Sequence, residues 1–162
     1  NQLHHQGEAI LSLCAPVSEA QARWKPDPES WSVLEVINHL VDEESLDFRR
    51  HLDHILHNTE QTWPKIDPMG WVTEKQYHQR QIEPSLLDFK AEREKSIAWL
   101  MALPQLEWEC AVTMPWGRLT AGDMMASWLA HDLLHLRQLV DLQYHLTAKE
   151  CLPFSVDYAG EW

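Results

Sequence analysis

Two histidines four residues apart, His131 and His135, are the side chains of this sequence best spaced to act together. On a helix, residues i and i+4 lie one above the other, so both imidazoles can reach one ion. At about 100° per residue, the pair shares a helix side with four apolar residues, namely Met124, Trp128, Leu142 and Leu146. Burying an imidazole without a partner is costly. The spacing therefore predicts either a metal site or two core histidines bonded to carbonyls or carboxylates.

A third ligand would have to come from another element, because His145 lies more than two turns from His135. The candidate is His39, about two turns inside a predicted second helix. It lies away from the apolar face of that helix, which indicates either a surface histidine or a polar stripe lining a cleft. Glu43, one turn further on the same side, is the candidate general base. The alternative for Glu43 is a solvated carboxylate or a partner of Arg50.

Other polar residues predict less. His51, His54 and His57 are spaced three residues apart, so each side chain points about 60° around the helix from the one before it. Charged neighbours lead us to expect a solvated helix end there. Asp132 points about 100° away from His131. We therefore expect it to support a metal ligand from behind or to lie at the surface, and not to bind the ion itself. The sequence contains neither Glu-x-x-His nor His-Glu-x-x-His, which argues against a di-iron bundle and a zinc protease.

Composition limits the class of protein. The 162 residues are 44% hydrophobic, which fits one domain spanning residues 1–162. The net charge of −12 opposes binding to nucleic acid or to an anionic membrane, and no apolar run is long enough for a membrane span. Three isolated cysteines and no visible signal peptide lead us to expect a cytoplasmic protein.

The hydrophobic pattern is helical almost throughout. Ser32 with Glu35, and Thr120 with Asp123, are spaced as helix N-terminal caps. The predicted main helices cover residues 2–14, 33–58, 84–102 and 121–146. Shorter helices are predicted at 17–24 and 73–80, and one strand-like stretch at 108–116. This pattern predicts an all-α fold, a four-helix bundle with long crossover connections.

Two ordered motifs resemble the DinB/YfiT-like superfamily, which is distinct from the DNA polymerase of the same name. The first is Trp31-Ser32-Val33-Leu34-Glu35 leading to His39-Leu40, and the second is Gly117, Leu119-Thr120 and His131-Asp132-x-x-His135-x-x-Gln138. The resemblance implies a four-helix bundle in which one histidine of the second helix and two of the last bind a divalent ion, often zinc or nickel. The matching residues are His39, His131 and His135. Gln138 matches a common family position to which we assign no role.

The same resemblance implies a function. Characterised relatives include thiol-dependent transferases, so it implies a metal-dependent thiol S-transferase that joins a low-molecular-weight thiol to a small electrophile. Two alternatives remain open: a metal-dependent hydrolase, and a non-catalytic bundle that binds a small ligand. A homodimer is compatible with such a bundle. Three histidines without a fourth protein ligand favour an open site over a closed structural zinc site.

Overall fold

The computed structural model describes residues 1–57 and 59–162. Its helices are, in chain order, α1 (Gln2–Cys14), α2 (Glu19–Arg23), α3 (Val33–Asp42), α4 (Arg49–His57), α5 (Pro68–Glu74), α6 (Ile82–Ala102) and α7 (Ala121–Glu150). A π-helical segment (Glu43–Phe48) joins α3 to α4, and 3-10 turns lie at Tyr77–Gln79 and Asp157–Ala159. The bundle consists of α1, the continuous α3–α4 helix, α6 and α7, which confirms the predicted fold class.

Both predicted caps form. The Ser32 hydroxyl accepts a hydrogen bond from the Glu35 amide, and the Glu35 carboxylate accepts one from the Ser32 amide at 2.7 Å. Thr120 and Asp123 make the same reciprocal pair at the start of α7. Each pair satisfies two amides that a helix N-terminus otherwise leaves without partners. These caps fix where α3 and α7 begin, and so fix the position of the histidines that follow.

Apolar side chains hold the helices together in two clusters. In the first, α1 packs against α6 and α7, and α3 packs against α6. Its fully buried members include Ile10, Leu34, Ile37, Phe89 and Leu139. The second cluster, around α4 and the first half of α7, includes Leu52, Ile55, Met124 and Trp128. The predicted apolar side of the last helix is therefore the side that faces the core.

A buried ion-pair network crosses the middle of the bundle. The Arg93 guanidinium, on α6, donates to both carboxylate oxygens of Asp132 at 2.6 and 2.8 Å. It also donates to Glu44 at 2.8 Å and to the Leu3 carbonyl at 2.7 Å. The surface position considered for Asp132 is wrong, because this side chain is 1% exposed and binds Arg93. The network ties α1, α6, α7 and the π-helical segment together.

The connections differ most from prediction. The helix expected at 73–80 is instead α5, because Asp67 caps it by accepting from the Gly70 amide at 3.0 Å and Pro68 supplies the first turn. The strand-like stretch contributes β1 (Ala111–Met114), which pairs antiparallel with β2 (Gly117–Thr120). Gly117, at φ +137°, makes the turn that the sequence reading overlooked.

Helix ends differ in smaller ways. The last helix continues one turn beyond the predicted end, to Glu150. The predicted end of the second helix at Asn58 lies outside the described residues. None of the helices in residues 1–57 and 59–162 is both long and apolar enough to cross a membrane.

Candidate metal centre

The three predicted histidines meet between α3 and α7. His39 Nε2 lies 3.4 Å from His131 Nε2, which lies 3.1 Å from His135 Nε2. One nitrogen from each residue falls within 4.8 Å of the other two. His39 is 4% exposed, so the surface interpretation of this residue is wrong. We call these three residues the histidine cluster.

The distances in the histidine cluster fit the donor set of a transition-metal ion. Two imidazole nitrogens bound at about 2.0–2.1 Å to one tetrahedral ion lie about 3.3 Å apart. The two Nε2–Nε2 distances given above bracket that value. His39 Nδ1 is buried and has no hydrogen-bond partner among the described residues. Three imidazoles without a fourth protein ligand would leave a coordination position for water or substrate.

Burial keeps these imidazoles neutral. Loss of solvation, followed by repulsion from the other two histidines, lowers the pKa of His39 to about 3. Burial, followed by repulsion from His135, lowers the pKa of His131 to about 4, and burial also lowers the pKa of His135. Neutral imidazole is the form that binds metal. At neutral pH the cluster therefore offers lone pairs without first losing protons.

Aromatic rings enclose the histidine cluster. The Trp31 ring lies 4.9 Å from that of His39 and, nearly parallel, 6.4 Å from that of His135. Phe48 covers the other side, with its ring 4.9 Å from that of His131. Such packing restricts the orientation of the imidazole rings.

Glu43 lies directly beside the histidine cluster. Its carboxylate oxygens are 3.8 Å from His39 Nδ1 and 3.9 Å from His131 Nε2. The solvated-carboxylate alternative is wrong, because Glu43 is 4% exposed. Burial, followed by the charge of Asp47 and a hydrogen bond with it, raises the pKa of Glu43 to about 9. Without a cation nearby, this carboxyl holds a proton at neutral pH.

The polar stripe that carries His39 and Glu43 extends further along the helix than periodicity predicted. His39, Glu43, Asp47 and His51 follow one another at steps of four. In an α-helix, a residue and the fourth residue after it differ in direction by about 40°, so side chains spaced four apart drift gradually around the helix. The π-helical segment Glu43–Phe48 has more residues per turn, so each residue rotates less around the axis. This smaller rotation offsets the drift and keeps the four side chains on one side. Single π turns are frequent at functional sites.

His51 completes the stripe at its far end. Its Nε2 lies 2.9 Å from the Pro64 carbonyl oxygen and its Nδ1 lies 2.6 Å from Asp47 Oδ1. A carbonyl oxygen can only accept, so Nε2 carries a proton. The other ring nitrogen, Nδ1, faces the Asp47 carboxylate. The stripe thus continues from Glu43 through Asp47 to a buried His51 that has a partner on each ring nitrogen.

The expected solvated helix end is wrong for two of its three histidines. His51 is 2% and His54 5% exposed, whereas His57 is exposed as predicted. The cause is the following loop, whose Trp63 ring stacks on His51 at 4.3 Å and meets His54 edge-on at 5.2 Å. A loop that folds back over a helix leaves no trace in the periodicity of the helix itself.

Two open clefts lead from the surface to His135. One, of about 390 Å³, lies beside Trp31 and Met69, and the other, of about 810 Å³, lies beside Arg137 and Trp162. His135, Gln138 and Asp141 line both clefts. A small molecule can therefore approach the histidine cluster along α7.

Comparison with known proteins agrees with this architecture. YfiT from Bacillus subtilis, described as a probable metal-dependent hydrolase with an unusual four-helix bundle topology, has a similar fold. The TM-score is 0.77 over 90% of this chain and 84% of YfiT, at 16% sequence identity. No curated protein matches the sequence. The model of the DinB superfamily matches residues 2–139. The chain therefore belongs to the DinB superfamily, as its two motifs predicted.

Proposed function

We propose that this protein is a metal-dependent hydrolase of a small ester or amide, with His39, His131 and His135 as ligands of a zinc or nickel ion. The observation that carries the proposal is the buried carboxyl of Glu43 beside the histidine cluster. The description of YfiT as a probable metal-dependent hydrolase supports it. A bound zinc ion lowers the pKa of a coordinated water to about 7 and polarises a carbonyl group.

Glu43 has the position of a general base. Burial and the Asp47 charge raise the pKa of Glu43, and a divalent cation held by the three histidines would oppose both effects. Glu43 would then lose its proton and be able to accept one. In the reaction, Glu43 takes a proton from the attacking water and returns one to the leaving group. Asp47, behind Glu43, orients its carboxyl through a hydrogen bond and is itself held by His51 Nδ1 at 2.6 Å.

Proton release on metal binding tests the role of Glu43. Because its raised pKa keeps the carboxyl protonated at pH 7, zinc binding to the wild-type protein should release about one proton more than zinc binding to Glu43→Gln. Calorimetry in buffers of different ionisation enthalpy measures that number. Glu74→Gln, which changes an exposed carboxyl on α5, is the control and should match the wild type. Equal proton release from wild type and Glu43→Gln would rule out an ionising Glu43.

The thiol S-transferase is the second candidate. Arg137, in the wider cleft, could pair with the carboxylate of a low-molecular-weight thiol. Three carboxylates line the two clefts, those of Glu29, Asp141 and Glu161. Their negative charge disfavours binding of an anionic thiol more than binding of water or a neutral substrate. The charge of the clefts therefore favours hydrolysis over S-transfer.

Turnover by zinc-loaded or nickel-loaded protein separates the candidates. We expect hydrolysis of a panel of small esters and amides without added thiol, and loss of that activity when the metal is removed by a chelator. A product that carries the thiol sulfur, formed only when a thiol such as glutathione is added, would replace hydrolysis with S-transfer. Saturable binding without turnover in either assay would favour the non-catalytic ligand-binding bundle.

A further inference from the structure

One amide side chain fixes an imidazole of the histidine cluster from behind. Gln138 follows His135 by three residues on α7, and its Oε1 accepts a hydrogen bond from His135 Nδ1 at 2.9 Å. An amide oxygen can only accept, so Nδ1 carries the proton of the neutral ring. Nε2 is then left with its lone pair, and this nitrogen lies 3.1 Å from His131 Nε2. The ring is held in the tautomer that can bind a cation inside the cluster.

The opposite orientation of Gln138 would have the opposite effect. If the amide NH2 group faced His135, Nδ1 would have to accept and Nε2 would carry the proton. That proton would point into the histidine cluster and block a ligand bond. His39 lacks an equivalent support, since its buried Nδ1 has no hydrogen-bond partner among the described residues. His135 is thus oriented in advance, whereas His39 is held by packing.

We infer that Gln138 is a positioning residue that sets the tautomer of His135 and thereby the affinity of the histidine cluster for a divalent cation. The inference rests on the proposed function only in taking His135 as a ligand. Outer partners of metal-binding histidines typically change affinity by about 10–100-fold when they are removed. Gln138 also lines both clefts, so it combines this support with a place where a substrate would lie.

Nitrogen NMR of the metal-free protein tests the tautomer without reference to activity. In wild type, two-bond proton–nitrogen correlations should show His135 protonated at Nδ1 and unprotonated at Nε2. Gln138→Leu removes the acceptor, so His135 should shift towards the Nε2-protonated form. Gln138→Glu keeps an acceptor oxygen and lacks the NH2 group, so it should restore the wild-type tautomer. Gln143→Leu, on the same helix, is the matched control and should leave the His135 signals unchanged.

Zinc affinity, measured by competition with a chromophoric chelator, supplies the second readout. We expect Gln138→Leu to bind zinc about 10–100-fold more weakly than wild type, and Gln138→Glu and Gln143→Leu to bind within about threefold of it. Thermal melts check that the variants fold. A wild-type His135 protonated at Nε2, or an unchanged tautomer in Gln138→Leu, would overturn the inference. Failure of wild type to bind zinc, with the tautomer result as expected, would instead reject the proposed function.

Discussion

Replacing Arg93 with methionine is expected to lower the free energy of unfolding by about 3–5 kcal/mol, since removing one partner of a buried ion pair leaves its counter-charges unpaired. Arg93 is 4% exposed and its partners Glu44 and Asp132 are each 1% exposed. Methionine fills a similar volume, so the loss arises from the two carboxylates rather than from a cavity. Urea unfolding followed by circular dichroism measures the change.

Two further variants test whether the loss comes from the unpaired buried carboxylates. Arg49→Met breaks a partly exposed pair with Glu92, which lies at 2.8 Å, and should cost about 1 kcal/mol or less. Adding Glu44→Gln and Asp132→Asn to Arg93→Met removes the stranded charges and should recover part of the loss. Burial already raises the pKa of Glu44, and losing the guanidinium raises it further. The deficit of Arg93→Met should therefore shrink as the pH falls. Equal losses in Arg93→Met and Arg49→Met would contradict this account.

Replacing any one residue of the histidine cluster with alanine is expected to remove the bound metal. Untagged wild-type protein should carry about one zinc or nickel ion per chain, and His39→Ala, His131→Ala and His135→Ala should carry almost none, because two imidazoles hold such an ion far more weakly than three. Plasma mass spectrometry gives the content. His57→Ala, an exposed histidine on α4, is the control and should retain the metal.

Stability provides an independent measure of the same site. Zinc at about 1,000 times its dissociation constant should raise the free energy of unfolding of wild type by about 4 kcal/mol, because only the folded chain assembles the cluster. The three alanine variants should show little of this gain. A wild type that stays metal-free after reconstitution would leave the histidines as core residues, and the proposed function would fall with the site.

The sequence predicted the parts of this structure that depend on local spacing. The caps at Ser32 and Thr120 need only two residues three apart, and the pairing of His131 with His135 needs only the helix period. His39 was different, because the periodicity of its helix alone favoured a surface position. The family motif instead favoured a position facing the last helix, and the contact between His39 and His131 agrees with it.

What the sequence did not predict depends on neighbouring elements. Periodicity assigns a residue to a side of its own helix but does not tell what covers that side. His51 is buried because the loop carrying Trp63 folds over it, and Asp132 because Arg93 reaches it from α6. The π-helical turn was also missed, since its letters fit an unbroken α-helix as well.

That π-helical turn divides one continuous helix into two halves with different rotational phase. The extra residue in this turn acts as an insertion that leaves the helix unbroken. The α-helical periodicity before Glu43 therefore does not continue in register after Phe48. Deleting one residue between them would restore a single frame and rotate α4 by about 100° relative to α3. His39 would keep its place opposite His131, while Asp47 and His51 would turn away from Glu43. Mutations that add or remove one residue here would therefore change the surroundings of Glu43 without altering the histidine cluster.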